Sequence, residues 1–458
     1  PPCINTLHNL QTLRLRNSKI NSIPDSIGNL INLCSLDIGY CFYLSSLPSS
    51  IGRLQCLREL DLSRSQIKSL PESICTLSNL HTLGLRECFF IHELPQNLSN
   101  MKSLVHLDIH GCVELTCMPE NLRKLNQLRT LPIFISGGKT NCRLTELANL
   151  KLEGELHLKN LQNLRSVEEA KGAQLSNKHG IQSLILSWDW SSYINSAQAR
   201  DDYDEDDDED ELEEVNILEK IMLADHVFQS LQPSRSLREL EIITYVGRTL
   251  PSWMMELSLS NLVRLTLKNC ACEKIPALGQ LPQLEVLRLI SLPSITNLGS
   301  DFYGGANAFP SLQELELNYM KGLEEWSSAG GEQLLPCLRT LTLLDCPKLK
   351  ALPSDFSLVR SLIMNVDDKL LLSSLQSRGF PNLKHIKMEN WDDKDPEPEV
   401  LTERDDSLIS WALVTKPKPE VDGDSTTMSS FGFGKSTLRF GEGEREGTST
   451  IWTIPLYI

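Results

Sequence analysis

The chain has 458 residues, 40% hydrophobic and 23% charged, with a formal net charge of −16. That charge is local: Asp201 to Glu214 holds 12 acids and no base, Asp392 to Asp406 holds eight acids against Lys394 and Arg404, and the remainder is near neutrality at +2. A uniformly basic nucleic-acid surface is therefore excluded, and so is a membrane-spanning helix, because no apolar run reaches about 18 residues.

The chain enters a repeat almost at once. From Leu10 the pattern Leu-x-x-Leu-x-Leu restarts at Leu33, Leu57, Leu80, Leu104 and Leu128, at intervals of 23, 24, 23, 24 and 24 residues. This period with this internal pattern is the signature of leucine-rich repeats. In the third copy, Leu60 and Leu62 alternate with Asp61, so a short strand turns its leucines one way and Asp61 the other. One such strand cannot bury its apolar face alone, and stacked copies share a continuous core. The predicted fold is an α/β solenoid, a leucine-rich-repeat horseshoe with a parallel concave β-sheet and an irregular or short helical convex side. Pro24, Pro48, Pro71, Pro95 and Pro119 recur in the second half of each unit. Proline presets φ and lacks an N–H, which suits the first turn of a convex helical segment. The ninth position holds Ser18, Cys41, Ser65, Cys88 and Cys112, then Cys270 and Cys346. Small hydroxyls or thiols there are expected as buried spacers serving unpaired backbone groups.

After Leu128 the spacing loosens. Units are expected from Glu153, Ile181, Leu237, Leu262, Leu284, Leu312, Leu338, Val359 and Leu383, giving about fourteen repeats over residues 1–391. The long gap between Ile181 and Leu237 holds the first acidic block, expected as a disordered insertion over about 196–216 because like charges resist packing. Residues 392–458 leave the pattern and are expected to be mostly disordered, with a short helix over Ser407 to Val414. The start, Pro1-Pro2-Cys3-Ile4-Asn5, shows no secretory leader and no polar cap before the first repeat, so the chain is expected to be a piece of a longer protein. The scattered cysteines, with no paired framework, indicate a reducing compartment.

No constellation of catalytic residues emerges. Phe431-Gly432-Phe433-Gly434-Lys435-Ser436-Thr437 imitates a phosphate-binding loop, but Ser429 stands where its first glycine is needed, and no buried strand precedes it. His81, His106 and His110 fall at outward positions of adjacent strands with Asp108 nearby, and are read as scattered polar surface. Trp188 and Trp190 are read as packing at the edge of an irregular repeat, with a contact hot spot as the alternative.

Several segments resemble plant nucleotide-binding leucine-rich-repeat (NLR) immune receptors of the coiled-coil class. They are Leu33 to Leu54, Gly247-Arg248-Thr249-Leu250-Pro251-Ser252-Trp253-Met254, Leu278 to Leu287, Phe309-Pro310-Ser311-Leu312, and Glu153-Gly154-Glu155-Leu156 with Glu168-Glu169-Ala170. The resemblance covers roughly residues 5–390. It implies a non-enzymatic recognition domain, cytoplasmic with the nucleus also open. Its partners would be a pathogen effector or guarded host protein and, within one molecule or in trans, a nucleotide-binding domain. ADP or ATP would belong to that domain, so no cofactor is expected in this chain, and no nucleic acid. Two alternatives are a substrate adaptor of a ubiquitin ligase, which needs an F-box-like segment upstream, and a receptor ectodomain, whose units usually carry Leu-x-Gly-x-Ile-Pro.

Function is then sought between the leucines. The candidate concave-face contacts are Arg14, Arg16, Asp37, Tyr40, Arg58, Asp61, Arg64, His81, Arg86, His106, Asp108 and His110 in the early copies. In the later ones they are Arg264, Lys268, Arg288, Tyr319, Arg339 and Lys384, with Glu314, Glu316 and Lys387 beside them. Arginine and tyrosine with mixed charge on a rigid sheet suit protein recognition.

Overall fold

Each early copy of the leucine pattern forms a short strand: Thr12–Arg14, Ser35–Asp37, Glu59–Asp61, Thr82–Gly84 and His106–Asp108. These pair in parallel in chain order, with Leu13, Leu36, Leu60, Leu83 and Leu107 in one register column. The computed structural model describes residues 7–137, 142–190, 209–256, 258–327, 334–353, 356, 358–365, 380–389 and 400–402. The acids at 201–208, the expected helix over Ser407 to Val414 and the phosphate-loop-like stretch 431–437 lie outside the described residues. The chain divides into a unit Pro1–Arg404 and a unit Asp405–Ile458, and all that follows concerns the first.

The copy at Leu128 breaks the ladder. Only Thr130 bridges to His106, and the strand itself is displaced to Ile133–Ile135. Pro132 stands at the fifth position of this copy, where it offers no N–H to the preceding strand. A second sheet of 11 strands starts here. It contains Glu153–Lys159, Gly180–Ser187, Glu239–Ile243, Arg264–Lys268, Val286–Ile290, Glu314–Asn318, Thr340–Leu344, Ser361–Asn365 and His385–Glu389. Every later unit expected from the sequence thus supplies a strand. One further strand, Val400–Thr402, pairs antiparallel with His385–Glu389 inside the segment that the pattern alone assigned to the tail.

The core is the leucine columns themselves: Leu57, Leu60, Leu62, Leu80, Leu83 and Leu85 are fully buried. On the other side run 3-10 turns at Asp25–Asn29, Ser49–Arg53 and Glu72–Thr76. Pro24, Pro48 and Pro71 precede these turns in extended conformation rather than entering them. Neighbouring turns stack so closely that a Cβ on Gly28 would sit 2.7 Å from the Ser50 carbonyl oxygen. Gly28→Ala is therefore expected to lower unfolding stability by about 1–3 kcal/mol. A urea midpoint equal to wild type would contradict this packing.

Two columns shape the turn that leaves each strand. At the ninth position, Cys41, Cys88 and Cys112 donate to the carbonyls of Leu15, Leu62 and Leu85 at 3.2, 3.2 and 3.1 Å, each the sixth residue of the preceding copy. Cys270 and Cys346 do the same to Ile242 and Leu317 at 3.7 and 3.8 Å. The spacer reading holds for all five thiols and for Ser65, which are buried, while Ser18 in the first copy is half-buried. Burial pushes Cys112 and Cys270 up to about 12, so they are inert as nucleophiles. At the eighth position the backbone is left-handed in copy after copy: Asn17, Tyr40, Arg64, Glu87, Asn160, Asn269, Tyr319 and Asp345 all have φ between 50° and 60°. For a residue other than glycine this conformation is uncommon.

The acidic insertion requires a correction. From Glu209 the chain is helical, through Ser230, where disorder was expected as far as about 216. Acidic residues favour the first turns of a helix, where they oppose its dipole. Beyond them, Ala224, Val227, Phe228 and Leu231 are buried at the i, i+3, i+4, i+7 spacing of an amphipathic face. Phe228 meets Trp188, Tyr245 and Trp253 at ring separations of 5.2, 4.7 and 5.6 Å. Asp225 accepts the Tyr245 hydroxyl at 2.6 Å. Trp188 and Trp190 are accordingly buried, as packing residues rather than exposed contacts.

Candidate functional site

The left-handed eighth position throws its side chain over the end of the sheet. Tyr40 and Arg64 hold this position in the second and third copies, and Arg16 stands one place before it in the first. Their side chains stack: the guanidinium of Arg16 is 4.3 Å and that of Arg64 5.1 Å from the centroid of the Tyr40 ring. Carboxylates hold both cations in place. Arg16 pairs with Asp61 at 3.2 Å and Asp37 at 3.7 Å, while Arg64 pairs with Glu87 at 2.7 Å, which Arg86 also approaches at 3.6 Å. The arginines remain 42–53% exposed. Such exposed pairs contribute little to stability, so they exchange readily for a partner's groups.

Asp37, Asp61 and Asp108 have a second role. Each accepts a backbone N–H two residues on, from Gly39, Ser63 and His110, at 3.1, 2.9 and 3.1 Å. That short turn starts the exit from the strand. Arg14 stands in the same column, exposed, while Arg58 and His81 sit just before their strands at the other end of the sheet.

The three histidines are each committed to a different neighbour. His81 Nδ1 contacts the Asn79 carbonyl at 2.7 Å, His106 Nδ1 contacts Thr130 Oγ1 at 2.9 Å, and His110 lies 3.7 Å from Glu155. Among the described residues no group of three potential ligands could hold a metal.

The middle of the face, where the two sheets part, is polar and largely desolvated. Burial pushes His157 down to about 3, with Lys159 and His110 adding to the effect, and its Nε2 lies 2.8 Å from Ser187 Oγ. Burial also raises Glu241 above the usual carboxylate range, against the pull of the candidate residues Lys268 and Arg288. His157 is neutral in the fold but takes a proton when unfolded, so its contribution is complete above about pH 6.5 and is lost as pH falls towards 3. His157→Gln is expected to flatten the stability profile over that window. Parallel profiles for variant and wild type would sink the assignment.

The remaining candidates are dispersed. Arg264 pairs with Glu239 at 2.6 Å, and Arg288 with Glu316 at 3.3 Å and Glu314 at 3.9 Å. Tyr319 is partly buried near Asp345, while Arg339 and Lys384 are exposed before their strands. The structure gathers Arg16, Asp37, Asp61, Arg64 and Arg86 around Tyr40 and leaves the other candidates dispersed.

One feature escaped sequence reasoning. The 24-residue copies place an extra residue directly after the ninth position. Phe42-Tyr43 and Phe89-Phe90 stand there, both pairs exposed, with exposed Val113 in the next copy. The 23-residue copy at Leu57 has only Gln66 before buried Ile67. The core gains nothing from the added residues, since Leu44, Ile91 and Leu115 behind them are buried already. Phe42 meets Tyr40 edge-on at 6.3 Å, so this apolar rim joins the arginine stack. The alternation of 23 and 24 was its signal in the sequence.

Known proteins carry the same text. Residues 144–292 match the R13L1/DRL21 leucine-rich repeats, residues 39–198 a leucine-rich repeat region, and residues 9–30 a single leucine-rich repeat. The chain is 31% identical over 407 residues to the putative disease resistance protein RGA1 of Solanum bulbocastanum, covering 84% of the chain and 36% of that protein. It is 34% identical over 246 residues to the putative disease resistance protein RGA4 of the same species, covering 52% of the chain and 22% of that protein. It thus spans about a third or less of these relatives' length. A leucine-rich-repeat protein of Leptospira interrogans aligns in structure with a TM-score of 0.42 at 19% identity, over 83% of this chain and 97% of that one. These relatives do not favour a ubiquitin-ligase adaptor or a receptor ectodomain. The parallel leucine ladder and the matches along it place the chain in the plant NLR disease-resistance family, as its leucine-rich-repeat region.

Proposed function

We propose that this chain is the protein-recognition region of a plant intracellular immune receptor, acting by binding and without catalysis. It senses a pathogen effector or a guarded host protein, and it restrains a nucleotide-binding domain supplied by the same molecule or in trans. ADP or ATP belongs to that domain. The receptor works in the cytoplasm, with the nucleus as a second location. The observation that supports this reading best is the Arg16–Tyr40–Arg64 stack continued by Phe42, because arginine and aromatic residues held on a rigid framework are what protein interfaces concentrate energy in. Arg14 and Arg58 add exposed cations with no ion pair among the described residues. The other candidates on this face, from His106 and Asp108 to Arg264, Lys268, Arg288, Tyr319, Arg339 and Lys384, are proposed as its periphery.

A two-hybrid screen of pathogen effectors against residues 1–404 tests this. An interactor that is lost on reversing Arg58 and Arg86 to Glu, but kept on reversing Arg53 on the opposite side, supports the reading. Interactors that ignore the concave reversals and respond to Arg53→Glu would move recognition elsewhere.

A further inference from the structure

Away from the concave candidates, at the starting ends of the strands Gly180–Ser187 and Glu239–Ile243, lies an open pocket of about 460 Å³. Its lining includes Ser176, His179, Ser234, Arg235 and Ser236, and none of its lining residues is a carboxylate. Ser234 is only 5% exposed and is the hub of the site. His179 Nδ1 lies 2.8 Å from Ser234 Oγ, which lies 3.0 Å from Ser236 Oγ, and Ser236 Oγ donates to the His179 carbonyl at 2.9 Å. The Ser236 backbone N–H also donates to Ser234 Oγ, at 3.3 Å.

Proton accounting leaves one arrangement. Ser236 spends its hydroxyl hydrogen on the His179 carbonyl, so it accepts from Ser234. Ser234 then has no hydrogen left for the imidazole, so His179 must donate from Nδ1. With that donation Ser234 gives one hydrogen bond and accepts two, which is the full capacity of a hydroxyl. The closed circuit holds Nδ1 as a donor, so in the neutral ring Nε2 is the acceptor. Beside it, the backbone of Arg235 is pinned by Asn261, whose amide donates to the Arg235 carbonyl at 2.9 Å. The Arg235 guanidinium has no ion pair among the described residues.

We propose that this pocket binds a hydrogen-phosphate group, with Arg235 facing the charged oxygens and His179 Nε2 accepting the phosphate hydroxyl. An acceptor and a guanidinium lining one pocket suit an oxyanion that carries a proton, and they discriminate against one that does not. Nothing in this assignment depends on the concave face being a protein interface.

The test is phosphorus-31 line broadening and calorimetry on the whole chain with inorganic phosphate, with sulfate as the unprotonated oxyanion and glycerol 3-phosphate in parallel. Wild type should bind phosphate saturably and more tightly than sulfate. Arg235→Gln should weaken phosphate by about tenfold or more, the loss expected for a charge-assisted contact. His179→Phe should bring phosphate down to the sulfate level while keeping the Arg235 contribution. Melting temperatures should be unchanged in Arg235→Gln, because that side chain makes no ion pair among the described residues. Binding of glycerol 3-phosphate as tightly as phosphate assigns the pocket to monoesters, and its exclusion assigns free phosphate. Equal affinity for sulfate and phosphate, no saturation, or undiminished binding by Arg235→Gln would overturn the proposal.

Discussion

Phe228→Ala should be the most damaging single truncation between the two Trp residues and the strand Arg264–Lys268. The ring is fully buried and touches three other aromatic rings: Trp188 just after the strand Gly180–Ser187, Tyr245 two residues after Glu239–Ile243, and Trp253 in the short helix Ser252–Met255. Emptying that volume is expected to cost about 3–5 kcal/mol. The Trp253 indole also donates to the Phe228 carbonyl at 3.3 Å, so helix and repeat are tied by backbone as well as by packing. In a solenoid each copy contacts only its neighbours, so the damage should stay local. Amide exchange should accelerate over 184–190, 219–256 and 258–268 and stay unchanged in the first five copies. Loss of less than about 1 kcal/mol, or loosening that spreads evenly along the chain, would mean that the insertion helix is not docked as described.

Tyr40→Gly should have the largest effect on recognition. The ring is held between two guanidiniums and abuts Phe42, the arrangement of an interface anchor. Removing such an anchor is expected to weaken a bound partner by about 2–4 kcal/mol, roughly 30- to 1000-fold. Glycine is chosen because Tyr40 has φ of 60°, a conformation that glycine adopts without strain. Folding stability should therefore be nearly unchanged. Isothermal titration of an interactor from the effector screen checks both halves, and an affinity within twofold of wild type would remove Tyr40 from the interface.

Much of this was legible beforehand, for identifiable reasons. A period near 24 residues puts side chains one period apart next to each other, which is why the strand register and the buried thiol column followed from counting. The same counting set Tyr40 and Arg64 in one row, with Arg16 one position short of it. It did not reveal that they stack, because stacking depends on the left-handed backbone of the eighth position. That conformation is imposed by the turn on residues as unlike as Tyr40, Arg64 and Glu87. The insertion helix was hidden by composition: 12 acids masked the apolar stripe Ala224, Val227, Phe228, Leu231 that follows them. Pro132 was readable as a ladder breaker, yet the intact leucines around it suggested an ordinary copy. The desolvation of His157 was not legible at all, since it draws on Lys159 of its own strand and on His110 from the exit turn of another sheet.

The central claim is that recognition is centred on the exit edge and concave side of the first five copies. Hydrogen–deuterium exchange on residues 1–404, alone and bound to an effector from the screen, tests it most directly. Protection is expected over 35–45, 59–66 and 82–92, the segments carrying Tyr40, Phe42, Arg64, Arg86 and Phe89. Protection confined to the opposite turns at 25–29, 49–53 and 72–76, with these segments unchanged, would contradict the account.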